Sequence, residues 1–412
     1  MKDKAIKTPI PGGCVGYLSI GKEELEIATD LLSQPEKLWR YRENSYTTRF
    51  EKEACELTGA KHALFVNSGT SALSCCLAGL AIGPGDEVLV SAYTYIATAS
   101  ACIEVGAVPV PCEIDESLGI DPDEIDRRVT PYTKAVILTH MQGVPARTEA
   151  VRAAAKRHGL LMIEDCCQAI GAKYKGRYCG VDSDAFAWSL NYFKNITCGE
   201  GGCFFTNDDR VYARGYFQSD PAGVMWGNGI GEDSGVPYFT RAGYRASELC
   251  GGVAYAQLHK LERNLAVTRG LKKTLLSALN TPRHYRLQHV DDPEGDCGVS
   301  FAMIANTKEE CKKLTEALDC EGLTVGSAYS SAFPDRHIFT YWEGIVKRQG
   351  ATPKNYPWND PAYRGSVDYS VNACPKTLDI LSRSLRLSIN QAMTGQNMHE
   401  IADAINKADS SF

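Results

Sequence analysis

Between residues 60 and 206 short apolar runs alternate with stretches of helical period, and this alternation restricts the fold more than any other feature. His62 to Asn67, Glu87 to Ser91, Val108 to Cys112, Ala135 to Thr139, Leu160 to Glu164, Asp184 to Ser189 and Gly202 to Thr206 read as strands. Thr70 to Leu80, the stretch ending at Val105 and Val151 to His158 read as helices between them. Strands that alternate with helices imply an α/β unit whose sheet is largely parallel. A Gly- and polar-rich segment over 219–235 then reads as a long surface loop. Helical period resumes from Ser247 to Leu279, with a break expected at Gly270. Val299 to Ala305 and Ser384 to Ile389 read as strands, and Glu309 to Asp319 and Asn397 to Lys407 as helices. A chain of 412 residues exceeds one typical core. The expected division is a large domain over 1–265, with its N-terminal segment, and a small α+β domain over 266–412.

Composition narrows the partners. The net charge is −6 with no long basic run, which argues against nucleic acid and anionic membranes. No run approaches the roughly 20 apolar residues of a membrane span. The first residues, Met1-Lys2-Asp3-Lys4, are not followed by the apolar stretch of a signal peptide. Sixteen cysteines show neither Cys-x-x-Cys nor zinc-finger spacing, so no metal site is expected. Free thiols that behave as small hydrophobes in a reducing cytoplasm account for them more simply than disulfides do.

Four short stretches carry possible chemistry. Asn67-Ser68-Gly69-Thr70-Ser71-Ala72-Leu73 stands where a strand gives way to a helix. Free amides and the positive end of the helix suit a phosphate there, Gly69 permits close approach, and Thr70 and Ser71 add hydroxyls. A plain helix cap is the alternative. Glu164-Asp165-Cys166-Cys167-Gln168 ends an apolar strand, on the face where α/β sheets bind ligands. A carboxylate there could partner a protonated pyridine nitrogen, or simply cap a helix or pair at the surface. Ser189-Leu190-Asn191-Tyr192-Phe193-Lys194 runs into the turn Gly199-Glu200-Gly201-Gly202. A desolvated lysine in such a loop could form a Schiff base, although most single lysines are merely solvated. Tyr93-Thr94-Tyr95 could stack on a flat ring or pack as core.

Taken in order and spacing, these stretches resemble the DegT/DnrJ/StrS sugar aminotransferases. The likeness runs through Ser68-Gly69-Thr70-Ser71-Ala72-Leu73, Gly85-Asp86-Glu87-Val88, Thr94-Tyr95, Glu164-Asp165-x-x-Gln168, Ser189 with Lys194, and Gly199-Glu200-Gly201-Gly202. It continues in Tyr244-Arg245-x-Ser247-Glu248-Leu249, Gln257-Leu258 and Cys374-Pro375-Lys376-Thr377. The resemblance implies a fold-type I enzyme dependent on pyridoxal 5'-phosphate (PLP), acting as a homodimer with sites at the interface. It implies Lys194 as the Schiff-base lysine and proton shuttle, and Asp165 beside the pyridine nitrogen. It places Gln168 near the 3-hydroxyl, Tyr95 on the ring, and Gly69, Thr70 and Ser189 on the phosphate. The implied reaction moves an amino group from glutamate or glutamine to a keto-sugar or keto-cyclitol, in polysaccharide or secondary-metabolite biosynthesis.

One position departs from the pattern: Gly243 stands where the family usually has an Asn that reaches the neighbouring subunit's phosphate. That departure keeps other PLP reactions open, namely elimination, racemisation or carbon–carbon bond formation. A dehydratase of the same family would carry His in place of Lys194. A binding protein on an inherited fold would show no PLP absorbance. Gly227-Asn228-Gly229-Ile230-Gly231 fails as a dinucleotide fingerprint, because no strand precedes it. Acceptor specificity is expected in loops and in the C-terminal part, with Tyr341, Trp342 and Trp358 among the candidates.

Overall fold

A computed structural model describes residues 4–222, 234–327 and 335–412. Seven strands form the main sheet: β1 (His62–Val66), β2 (Glu87–Ser91), β3 (Val108–Cys112), β4 (Thr133–Thr139), β5 (Leu161–Asp165), β8 (Ala185–Ser189) and β9 (Gly202–Thr206). Strands β6 (Lys173–Tyr174) and β7 (Arg177–Tyr178) make a separate short hairpin. The order across the main sheet is β1-β9-β8-β5-β4-β2-β3. The five strands from β8 to β3 are parallel, and β9 runs antiparallel to both its neighbours. The mostly parallel sheet expected from the alternation is therefore present. Its strands are buried along nearly their whole length, because helices cover both faces.

The helix Gly69–Gly79 follows β1 and is buried at every position except Thr70. Its residues are small or apolar all round, as a helix enclosed on several sides requires. It packs on β8 and β9 and against the helices Ala97–Val105 and Asp209–Ser219. Gly79 permits the last of these contacts, since a Cβ there would lie 2.8 Å from the Val211 carbonyl oxygen.

Four antiparallel strands form the second sheet: β10 (Tyr285–Leu287), β11 (Ser300–Ala305), β12 (Gly326–Ser327) and β13 (Ser384–Ser388), in the order β10-β11-β13-β12. The helices Lys308–Cys320 and Gly395–Asp409 bury Leu314, Leu318, Met398 and Ile401 against it. The two cores exchange chain segments. Ala5 is buried in the second core, and the Lys7 and Thr8 amides donate to Glu400 at 3.0 and 2.8 Å. In return, Ile338, Phe339, Trp342, Tyr363 and Tyr369 join the core of the large sheet. Residue 265, the expected boundary, falls inside the helix Leu261–Ala278.

Local expectations met different outcomes. The break expected at Gly270 lies instead between the helices Glu248–Leu258 and Leu261–Ala278, at His259 and Lys260. Gly270 sits on an exposed helix face, where it costs about 1 kcal/mol relative to Ala without ending the helix. The helices Lys22–Ser33, Tyr46–Thr58 and Asp209–Ser219 add to the expected elements. Of the expected loop over 219–235, residues 223–233 lie outside the described residues, and so does the Gly227–Gly231 run.

Candidate active site

A cleft of about 940 Å³ opens at the carboxyl ends of β4, β5 and β8, facing β11 and β13 of the second sheet. Gly69, Thr70, Tyr95, Asp165, Gln168, Ser189 and Lys194 all line it. The tertiary structure thus brings together the seven residues that the family resemblance assigns to the cofactor, across 126 positions of chain (194 minus 69 is 125, counted inclusively).

One wall is the start of the helix Gly69–Gly79. Ser68 caps it, with its hydroxyl accepting from the Ser71 amide at 3.1 Å. The Ser71 hydroxyl turns away from the cleft and donates to Asn67 at 2.7 Å. The Gly69 and Thr70 amides precede the first helical hydrogen bonds and have no partner within the helix. Two glycines bring this helix end close to the sheet. A Cβ on Gly69 would lie 2.7 Å from the Ser189 Cβ, and one on Gly202 would lie 2.2 Å from the Ser68 carbonyl oxygen. The result is a narrow cradle of amides and the Ser189 side chain, with the helix dipole directed into it.

At the floor, Asp165 is 4% exposed at the end of β5. Its Oδ2 accepts from the Thr98 hydroxyl at 2.7 Å, and its Oδ1 from the Cys167 amide at 3.0 Å. The Thr94 hydroxyl continues the chain, 2.8 Å from that of Thr98 and 3.1 Å from that of Thr139. Two fixed donors hold the carboxylate's orientation, and among the described residues no cation is bonded to it. Gln168 accepts from the Gln142 amide at 3.2 Å, and Gln142 occupies a left-handed backbone conformation with φ 56°.

Lys194 stands in the loop between β8 and β9, half-exposed on the cleft wall. Among the described residues its amine makes no hydrogen bond or ion pair, while its backbone carbonyl accepts from the Gly16 amide at 2.9 Å. Gly16 is needed for that contact, because a Cβ there would meet the same oxygen at 2.5 Å. Cys14 and Cys167 also line the cleft, and burial raises both thiols, against the opposing charge of Lys194. They are weak nucleophiles beside it.

Tyr95 presents its ring at the mouth, 49% exposed, inclined at 52° to the His337 ring with centroids 5.3 Å apart. His337 belongs to a group of which the sequence singled out only Tyr93. Its ring bonds Asp335 at 2.6 Å, Arg386 lies 3.6 Å from the other Asp335 oxygen, and Arg386 also donates to the Tyr93 hydroxyl. Burial acts to raise the Asp335 carboxyl, but the side chain and amide of His337 outweigh it and leave the group below its ordinary value. Only fold contacts unite these residues, because Tyr93 and Arg386 are far apart in sequence. Thr98 is the second residue of the helix Ala97–Val105, and Thr94 stands in the bend before that helix, so the contact of their hydroxyls is also set by the fold.

Gly243 is exposed, with open space where a Cβ would stand. The next residue, Tyr244, bonds Glu104, and Arg245 lies 3.6 Å from Asp220. Trp342 is buried with its indole N–H donating to the Arg336 carbonyl at 2.9 Å, and Trp358 packs against the large core and bonds Tyr369 at 3.1 Å. Tyr341 is also packed against that core, and none of the three lines the cleft.

The parallel sheet, the small antiparallel domain and the cleft between them define a fold-type I PLP-dependent enzyme of the aminotransferase class. The chain belongs to the DegT/DnrJ/EryC1/StrS aminotransferase family, whose model matches residues 19–348. It is 42% identical over 193 residues to the spore coat polysaccharide biosynthesis protein SpsC of Bacillus subtilis (strain 168). That match covers 47% of this chain and spans about half, 49%, of SpsC. It is 34% identical over 351 residues to the GDP-perosamine synthase of Caulobacter vibrioides, covering 81% of this chain and 90% of the relative. The solved structure of S. venezuelae DesV superposes with a TM-score of 0.74 at 27% identity, covering 95% of each chain.

PLP is the cofactor of this class, and the cleft fits it. The crowded cradle at Gly69 admits a phosphate but no extra side chain, and among the described residues the buried Asp165 carboxylate has no bonded cation and the Lys194 amine no salt-bridge partner.

Proposed function

We propose that the chain transfers an amino group from glutamate or glutamine to a keto-sugar or keto-cyclitol in polysaccharide or secondary-metabolite biosynthesis. The observation that carries this reading is the convergence of Lys194, Asp165, Gln168, Ser189, Tyr95, Gly69 and Thr70 on one cleft. The names of the relatives, a GDP-perosamine synthase and a spore coat polysaccharide protein, favour a sugar acceptor.

When bound, PLP supplies an aldehyde that links to amines and a ring that accepts the electrons released at the substrate's α-carbon. The Gly69 and Thr70 amides and the Ser189 hydroxyl bind its phosphate. Asp165, oriented by Thr98 and Cys167, holds a proton on the ring nitrogen. Tyr95 covers one face of the ring, and Gln168 orients its hydroxyl side. The Lys194 Nζ, on the cleft wall, would be the amine that holds the cofactor's aldehyde group and, when free, the base that would take and return the proton at the donor's or acceptor's reacting carbon.

We place the site at the interface of a homodimer. Leu25, Leu32 and Phe193 are each at least 60% exposed, and Phe193 adjoins Lys194. Gly243 leaves the cofactor phosphate to be held by Gly69, Thr70 and Ser189 of its own chain. Sixteen free cysteines favour a reducing compartment, the cytoplasm. Among the described residues no helix is long and apolar enough to cross a membrane.

Borohydride reduction of the purified protein followed by peptide mapping tests the lysine. A pyridoxyl group on Lys194 is expected, and its attachment to any other lysine overturns the assignment. Mixing with L-glutamate or L-glutamine should convert the visible absorbance to that of the amine form of the cofactor. Persistence of the original spectrum with every amino donor overturns transamination.

A further inference from the structure

The N-terminal segment crosses from the second domain to the loop that carries Lys194. Its sequence Thr8-Pro9-Ile10-Pro11-Gly12-Gly13 starts with two prolines, which fix φ and keep the chain extended, and ends in two glycines, which let it turn. Side chains of the second domain hold its carbonyls. Asn397 Nδ2 donates to the Pro9 carbonyl at 3.2 Å. Asn390 Nδ2 donates to the Pro11 carbonyl at 2.9 Å and to the Gly13 carbonyl at 3.3 Å. Gln391 Nε2 donates to the Val15 carbonyl at 2.8 Å. Asn390 is 1% exposed, and its Oδ1 accepts from the Ala392 amide at 2.9 Å, which commits its NH2 end to the segment.

The other end of the segment meets Lys194. Val15–Leu18 form one helical turn, and the first amides of a helix have no partner inside it. The Gly16 amide is thereby left to donate to the Lys194 carbonyl at 2.9 Å. One residue on, the Tyr17 ring stacks on that of Tyr192, with centroids 4.6 Å apart and planes inclined by 4°. Within its own loop the Lys194 amide donates to the Asn191 carbonyl at 3.0 Å. The peptide groups on both sides of the lysine Cα are thus fixed, one from inside the loop and one by the segment. A lysine stem is flexible, so the reach of its amine is set by where the backbone starts it. The hold lies beside the cleft: Leu387, Ser388 and Ile389, immediately before Asn390, line it, as do Gly13 and Cys14.

We propose that Asn390 and Gln391 are positioning residues for Lys194 and act on it through the segment over 11–17. The inference rests on the reading of Lys194 as the Schiff-base lysine. The segment passes the position of the end of β13, on the cleft wall that faces the main sheet, to the loop between β8 and β9. With its holds in place, the lysine starts from one backbone position, and its amine stays within reach of the reacting carbons. With a hold released, the loop samples more positions, and the fraction of time in which the amine is in reach falls. The phosphate cradle at Gly69 and Ser189 lies on other elements and keeps its shape.

Asn390→Ala removes the holds on Pro11 and Gly13, and Gln391→Ala removes the hold on Val15. Amide hydrogen exchange of the purified holoenzyme, read on the peptide over 190–198, tests the coupling. Exchange roughly tenfold faster than in the wild type is expected for Asn390→Ala, in keeping with the loss of two hydrogen bonds. A smaller increase is expected for Gln391→Ala. Once PLP has been removed and is added back, the visible absorbance of the Schiff base should return several-fold more slowly in both variants. Unchanged exchange over 190–198 in both variants overturns the proposal. Faster exchange with an unchanged rate of return also overturns it, because the holds then serve the fold alone. If Asn390→Ala does not fold, Gln391→Ala, at a partly exposed position, carries both measurements. The exchange rate does not depend on which lysine holds the cofactor or on amino transfer, so its failure is distinct from failure of the functional reading.

Discussion

Asp165 is the residue whose environment says most about the chemistry, because its two bonded donors are neutral. A carboxylate buried without a bonded cation is costly, and a protonated ring nitrogen relieves that cost. Asp165→Asn should bind cofactor yet lower kcat by about 10²–10⁴-fold, the range typical of a lost acid–base partner. Thr98→Val removes one bond to a charged group, worth about 1.5–3 kcal/mol. A fall of roughly tenfold or more in kcat is expected, with a shift in the pH dependence of the cofactor's absorbance. A structural role alone would leave that absorbance unmoved.

Among elements, the helix Gly69–Gly79 and the segment after residue 335 set the shape of the cleft. Gly69→Ala places a Cβ 2.7 Å from the Ser189 Cβ, and backbone must yield because neither atom ends a flexible side chain. Overpacking of this kind costs about 1–3 kcal/mol. PLP affinity, read by spectral titration, should weaken even where the variant remains folded. Asp335 links the segment after residue 335 to β13 through Arg386, and its carboxyl is depressed in the folded state. A depressed carboxylate stabilises the fold above its unfolded value, about 3.9, and that contribution is lost as pH falls through the lower folded value. Melting temperature measured from pH 5 downward should fall less steeply for Asp335→Asn than for the wild type.

The whole molecule is two cores joined by exchanged segments. Trp342 is fully buried in the large core although it stands 77 positions beyond residue 265 (342 minus 265). Trp342→Ala should cost about 3–5 kcal/mol in urea unfolding, because a large cavity opens where the segment is anchored. Sedimentation equilibrium should return twice the chain mass, and Leu25→Glu with Leu32→Glu should shift it toward the monomer.

How much of this was legible in the sequence depended on the range of the physics involved. Strands such as β2, β3 and β9 were read to the residue, because apolar runs between helical stretches are a local signal. The break beside Gly270 was misplaced, because an exposed glycine lowers helix propensity without ending a helix whose other face is packed. The family resemblance carried on these stretches supplied the seven residues that line the cleft, whereas each stretch read by itself left a cap, a solvated charge or core packing open. Lys194, Asp165 and Gly69 could be named through that resemblance before any coordinates. The Thr98 bond to Asp165, the approach of Gly69 to Ser189 and the Asp335–His337–Arg386 group could not. Each joins side chains that local patterning leaves independent, and only the packing of one element on another brings them within bonding distance.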